Sequence, residues 1–186
     1  MNLKKLLRTT GVTMTAGSLM LTTAPTASAD DLRVDCTPNQ VLRAKEDKRA
    51  LSAELDYTGQ KEGMIRARST DIGAWEIFKI CNYYGGEYKD QYQYTVLYSQ
   101  AAQRYVSAEV EYSGADYGML RARSTSVGQW EKFLEKCDSL HCAYKSVANG
   151  KWVAAEFDYK NDGAGMLRAH SATIGNWERF SISGLA

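Results

Sequence analysis

The sequence holds 186 residues with 23 Lys and Arg, 22 Asp and Glu and two histidines, a formal charge of +1. That length fits one packed domain rather than two, and ordinary apolar and charged fractions exclude a disordered chain. The near-neutral balance leaves no electrostatic footprint for nucleic acid.

Residues 1–29 read as an export signal. Lys4, Lys5 and Arg8 form a basic start, a stretch of apolar and small residues runs from Val12 to Leu21, and Ala27-Ser28-Ala29 gives the small-x-small pattern cleaved before Asp30. The apolar run is well short of the roughly 20 residues a membrane span needs, and no other stretch reaches that length. Removing the signal takes away three basic residues and leaves a formal charge of −2. The remainder lacks the basic amphipathic helix of a membrane-surface binder. The expectation is a secreted, extracellular protein. Residues 30–40 form an N-terminal segment in which Asp30–Thr37 are open to further trimming.

Four cysteines remain, and an even number in an exported chain predicts two disulfides. Cys36 and Cys81 bracket one unit of sequence and Cys137 and Cys142 bracket a short connector, so the expected pairs follow that order. The alternative is a metal site at Cys137, His141 and Cys142, which lacks an evident fourth ligand.

From residue 41 onward the chain repeats itself. Windows 41–80, 96–135 and 143–182 align without a gap. Ala53, Glu54, Tyr57, Gly63, Met64, Arg66, Ala67, Ser69, Gly73, Trp75, Glu76 and Phe78 recur unchanged in all three. Within a unit, a first strand is predicted near Val41–Lys45. In the next, Leu51, Ala53 and Leu55 share one face while Ser52, Glu54 and Asp56 share the other. A turn-rich loop, Tyr57–Gly63, leads into Met64–Ser69, where Ile65 and Ala67 face inward and Arg66 and Arg68 outward. A last strand falls near Trp75–Ile80. One such unit cannot bury its apolar face alone, so three close around a shared core. This predicts an all-β, β-trefoil domain over 41–186. A three-bladed ring is the alternative, against which stands the rule that propellers have at least four blades.

The run V-S-A-E … G-M-L-R-A-R-S-T-S-V-G-Q-W-E-K-F at Val106–Phe133 resembles the fascin-like trefoil repeat of secreted bacterial proteins and carbohydrate-binding modules. It also resembles the streptomycete hemagglutinins that bind L-rhamnose and D-galactose. The resemblance covers nearly all of 41–182 and implies a trefoil lectin with three repeats. The Gly-x-Trp-Glu-x-Phe element marks the fold rather than a ligand. Ricin-type lectins carry Gln-x-Trp where this chain has Trp-Glu-x-Phe, so their ligand residues do not transfer.

The repeated polar residues are the candidate carbohydrate site. They are Glu54, Asp56, Tyr57, Arg66 and Arg68 in the first unit, and Glu109, Glu111, Tyr112, Arg121 and Arg123 in the second. Glu156, Asp158, Tyr159, Arg168 and His170 stand in the third. In a hairpin, Asp56 is expected opposite Arg66 and Glu54 opposite Arg68. Such pairs are either plain cross-strand salt bridges or a patch whose carboxylates accept from, and guanidiniums donate to, sugar hydroxyls. The tyrosines either stack on a sugar ring or sit at the edge of the core. Trp75, Trp130 and Trp177 are expected in the core with Phe78, Phe133 and Phe180, the alternative being a stacking platform. Gly73, Gly128 and Gly175 are expected to supply a turn conformation closed to other residues. His170 stands where the other units have Arg68 and Arg123, which could make one site sensitive to pH. Ala50 stands where the others have Tyr105 and Trp152. The connector 81–95 carries five tyrosines in its fifteen residues, either an adaptable binding surface or a cover over the first disulfide.

No nucleophile elbow, zinc-protease helix, P-loop or dinucleotide fingerprint occurs. A non-enzymatic, carbohydrate-binding role without cofactor or metal is expected: three weak sites on one rigid monomer gain avidity, roughly 10²–10⁴-fold, toward glycans displayed on a surface. The second reading is a protein-binding trefoil, an inhibitor or surface module, acting through 81–95.

Overall fold

The computed structural model describes residues 32–85 and 91–185. The predicted export signal, its cleavage point, the tip of the 81–95 connector and Ala186 lie outside them. Twelve strands follow in chain order. The first repeat holds β1 (Arg33–Ala44), β2 (Ala50–Glu54), β3 (Met64–Ser69) and β4 (Phe78–Tyr84). The second holds β5 (Tyr92–Ser99), β6 (Arg104–Glu109), β7 (Met119–Ser124) and β8 (Phe133–Cys137), and the third β9 (Cys142–Ser146), β10 (Trp152–Glu156), β11 (Met166–Ser171) and β12 (Phe180–Gly184).

The first and last strands of each repeat form a closed ring. Antiparallel pairings run β1 to β4, β4 to β5, β5 to β8, β8 to β9, β9 to β12 and back to β1. The middle strands form the hairpins β2–β3, β6–β7 and β10–β11. Their second strands pair with one another around the pseudo-threefold axis and cap one end of the barrel. This is the β-trefoil arrangement, and closing the ring removes the free strand edges that invite aggregation.

The strand alternation buries the residues it marks. Leu51, Ala53, Ile65 and Ala67 and their counterparts enter one central cluster with Phe78, Phe133 and Phe180. Each of these phenylalanines is fully buried, which contributes about 1.5–3 kcal/mol apiece. The tryptophans are only half-buried. Trp75 lies outside a strand, in a 3-10 turn at Ala74–Glu76. Trp177 packs edge-on against Phe157 with ring centroids 5.9 Å apart.

That turn is built by its glutamate. Glu76 is buried and its carboxylate accepts from the Gly73 amide at 2.8 Å. Glu131 and Glu178 do the same for Gly128 and Gly175 at 2.7 and 2.6 Å. Gly73 has φ −115°, so these glycines do not supply the special turn conformation expected of them. They let the carboxylate approach: a Cβ on Gly128 would stand 3.1 Å from the Glu131 oxygen.

Two further expectations change. Residues of the N-terminal segment belong to β1, because Arg33–Thr37 pair with Ile80–Tyr84 before a register shift between Thr37 and Gln40. The connector is likewise strand on both sides of its tip, with Tyr83 opposite Tyr94. Cys36 is bonded to Cys81 and Cys137 to Cys142, each pair directly opposite across a ladder. Glu135 lies beside Cys137 and Cys142, but both sulfurs are joined to each other and offer no thiolate to a metal.

Candidate functional site

The candidate residues sit on the three capping hairpins, in a register other than the expected one. Ser52 faces Arg66 and Glu54 faces Met64. The strands end early because the Gly63 amide bonds back to the Glu54 carbonyl at 2.8 Å, and the residues between fold into a 3-10 turn at Gly59–Lys61. Asp56, Glu111 and Asp158 therefore lie beyond the strand, exposed. Among the described residues they make no ion pair with Arg66, Arg121 or Arg168.

Glu54 and Arg66 do not face outward. Glu54, Glu109 and Glu156 are buried, as are Arg66, Arg121 and Arg168. The carboxylates are met from the solvent side by the next residue of the alternation. The Arg68 guanidinium lies 2.6 Å from Glu54, Arg123 pairs with Glu109, and His170 pairs with Glu156. Glu54 with Arg68 is thus the expected pair, reached along the hairpin rather than straight across it. Burial raises the Glu54 carboxyl above the ordinary carboxylate value while Arg68, then Arg66, pull it down. Burial likewise raises Glu156, against His170 and Arg168.

The buried arginines form a cyclic clasp. Arg121 donates to the Tyr112 hydroxyl of its own repeat at 2.6 Å, and to the Glu62 and Gly59 carbonyls of the first repeat at 2.8 and 3.1 Å. Arg168 donates to Tyr159, and to the Tyr117 and Gly114 carbonyls of the second repeat at 2.9 and 3.3 Å. Arg66 closes the circle, donating to Tyr57 at 2.6 Å and to the Ala164 and Asn161 carbonyls of the third repeat at 2.9 and 3.3 Å. Inside this ring, Met64, Met119 and Met166 meet in a small second core, with Tyr57, Tyr112 and Tyr159 packed against it. Three backbone bonds run the same way, from Ala67, Ala122 and Ala169 amides to Gly165, Gly63 and Gly118 carbonyls, each 2.7 Å. These glycines have φ between 72° and 75°, and a Cβ on Gly63 would stand 2.6 Å from the Ala122 carbonyl oxygen. The Tyr and Arg side chains thus already hold partners. Sequence reasoning missed the methionine core, although Met64 is among the unchanged positions.

What remains accessible lies between adjacent repeats. A cleft of about 430 Å³ opens where the first hairpin meets the second repeat, walled by Leu55, Glu62, Ala101, Ala102, Arg104 and Arg123 with Arg121 at its floor. Its pseudo-equivalents hold Arg68 and Arg66 in the first repeat and His170 and Arg168 in the third. The candidate residues Arg68, Arg123 and His170 are therefore the exposed members of three related positions, each fixed from behind by a buried carboxylate. A second cleft, of about 500 Å³, has Trp152 on one wall with Asp138, Thr173 and Arg179. There Arg179 pairs with Asp138 at 2.6 Å, and amides of Leu140 and His141 hold the Asp138 carboxyl below its usual value. Tyr105, the counterpart of Trp152, packs edge-on against Tyr98.

No protein-family model matches this sequence, and no curated protein matches it. Solved structures do. A designed 3-fold symmetric protein, ThreeFoil, superposes with a TM-score of 0.61 at 16% identity, over 84% of this chain and all of that one. The BEL β-trefoil gives 0.56 at 10% identity, over 78% of this chain and 92% of that one. An endo-β-galactosidase from Clostridium perfringens that releases GlcNAcα1-4Gal gives 0.57 at 11% identity, over 80% of this chain and 33% of the enzyme. At these identities the likeness shows the fold alone: the chain is a β-trefoil.

Proposed function

We propose that this chain is a secreted, non-catalytic carbohydrate-binding protein, a multivalent lectin of the hemagglutinin kind acting as a monomer on surface glycans. The observation that carries the reading is the recurrence of an ion-paired, solvent-facing donor, Arg68, Arg123 or His170, between adjacent repeats. A guanidinium locked to a buried carboxylate is a pre-oriented donor for sugar hydroxyls. The occurrence of a trefoil within an endo-β-galactosidase also supports it. Neutral sugars such as L-rhamnose and D-galactose are the first ligands to try. Calorimetric titration of the mature protein tests the reading: two or three saturable sites per chain support it, and no binding to any glycan on an array refutes it.

A protein partner is the second reading, favoured by the tyrosines of β4 and β5. Tyr83 stacks on Tyr94 at 4.6 Å, Lys132 lies over Tyr94 and Lys79 over Tyr98, each at 4.6 Å. Such a cationic, aromatic face suits a single macromolecular partner, so a stoichiometry of one separates it from the lectin.

A further inference from the structure

The three inter-repeat positions share their framework but not the turn that closes them. That turn reads Glu46-Asp47 in the first repeat, Ala101-Ala102 in the second and Ala148-Asn149 in the third. In the first, Asp47 accepts from the Arg49 amide at 3.0 Å and its carboxylate lies 3.5 Å from the Arg49 guanidinium. In the third, Asn149 donates to the Ala169 carbonyl at 2.8 Å and to the Tyr117 hydroxyl at 3.3 Å, so side chains occupy the space. In the second, two methyl groups stand instead, and the cleft of about 430 Å³ stays open.

The same substitution unbalances its charge. Arg104 occupies the place of Arg49 but has no counterpart of Asp47. Among the described residues it makes no ion pair, and one of its nitrogens donates to the Gln103 carbonyl at 2.8 Å. Arg121, at the floor, donates only to neutral oxygens. Arg123 has Glu109 as its partner yet its side chain is 43% exposed. Glu62 is the one carboxylate among the lining residues. A concave site with two accessible guanidiniums and an apolar wall favours a planar anion joined to an apolar face.

Resting on the carbohydrate reading above, we infer that the cleft between the first and second repeats is a subsite for an acidic sugar. The carboxylate of a uronic acid residue is held by Arg104 and Arg123, and its ring lies against Leu55, Ala101 and Ala102. One site per chain then differs in ligand class from the other two.

The test is calorimetric titration of the mature chain with sodium D-galacturonate, D-galactose and sodium sulfate, repeated with Ala102→Asp and Arg104→Ala. Thermal unfolding verifies that both variants fold. Galacturonate should bind at one site per chain, more tightly than galactose, and more weakly as salt rises. Ala102→Asp supplies the carboxylate that the first repeat carries, so it and Arg104→Ala should each weaken galacturonate about tenfold or more and leave galactose binding at the other two sites unchanged. Galacturonate binding that matches galactose, or survives both variants, overturns the acidic subsite while the lectin reading stands. Sulfate binding as tightly as galacturonate, and lost in the same variants, overturns the sugar assignment in favour of a simple anion site. If neither sugar binds, the acidic subsite is overturned, and the glycan array decides the lectin reading separately.

Discussion

The Arg121 guanidinium donates to the Tyr112 hydroxyl at 2.6 Å and, with its other nitrogens, to carbonyls of the neighbouring repeat. Two repeats are thereby tied through one side chain. Tyr112→Phe removes one charge-assisted bond and should cost about 1.5–3 kcal/mol. Arg121→Ala removes all three bonds, leaves a half-buried hydroxyl without its partner and should cost more. Urea denaturation of both variants checks the order. It also shows why Arg121 is a poor probe of ligand binding: its loss weakens the cap itself.

Two glycines of the same hairpin should respond oppositely to substitution. Gly114 has φ 61° with nothing near its missing Cβ, and the third repeat carries Asn161 at φ 53° in that position. Gly114→Asn should therefore change stability by under about 1 kcal/mol, since Asn tolerates the left-handed region. Gly118→Ala drives a methyl group into the Ala169 carbonyl and should cost well over about 2 kcal/mol. Thermal melts of the two variants decide it.

The Glu54 carboxyl sits above its ordinary value because burial outweighs the pull of Arg68. A carboxyl raised by folding contributes its stability fully below its unfolded value, and that contribution is lost as pH rises through the folded one. Arg68→Ala removes the strongest lowering influence and moves the folded value further up. The variant should lose more stability at pH 7 than near pH 4. Denaturation midpoints at both pH values test the sign, and a larger loss on the acid side contradicts it.

Reduction should act unevenly. The Cys36–Cys81 bridge spans 45 positions and Cys137–Cys142 spans 5. Loop-closure entropy then assigns about 4 kcal/mol to the first and about 2 to the second. Paired Cys→Ser variants, compared by denaturant midpoint, should show that ranking.

The fold was legible because duplication prints the same alternation three times, and period two survives any loop variation. Leu51, Ala53, Ile65 and Ala67 entered the core as their spacing required. The hairpin register was not legible. It depends on where Gly63 bonds back to Glu54, and a turn of unknown shape hides that from residue counting. The burial of Glu54 and Arg66 was missed for a related reason. Polar side chains on one strand face read as solvent-facing, whereas here three hairpins converge on an axis, Arg66 reaches backbone carbonyls of the neighbouring hairpin and Arg68 covers Glu54 from solvent. The cleft between the first and second repeats is open at Ala101-Ala102, small residues that sequence reasoning passes over because they carry no chemistry of their own.

The arginine clasp has a direction: each repeat grips the hairpin of the one before it, and the first repeat grips the third. Topologically the ring has no beginning, since the covalent ends fall at an arbitrary joint. New termini cut between two other repeats, with the old ones linked, should leave the same molecule. A vectorially emerging polypeptide, by contrast, has only one of the three grips in place before its third repeat arrives with both the last hand and the last wrist. A single repeat unit, holding donor and acceptors at opposite edges, has the complementarity to assemble as a homotrimer, the arrangement from which gene triplication would yield this chain.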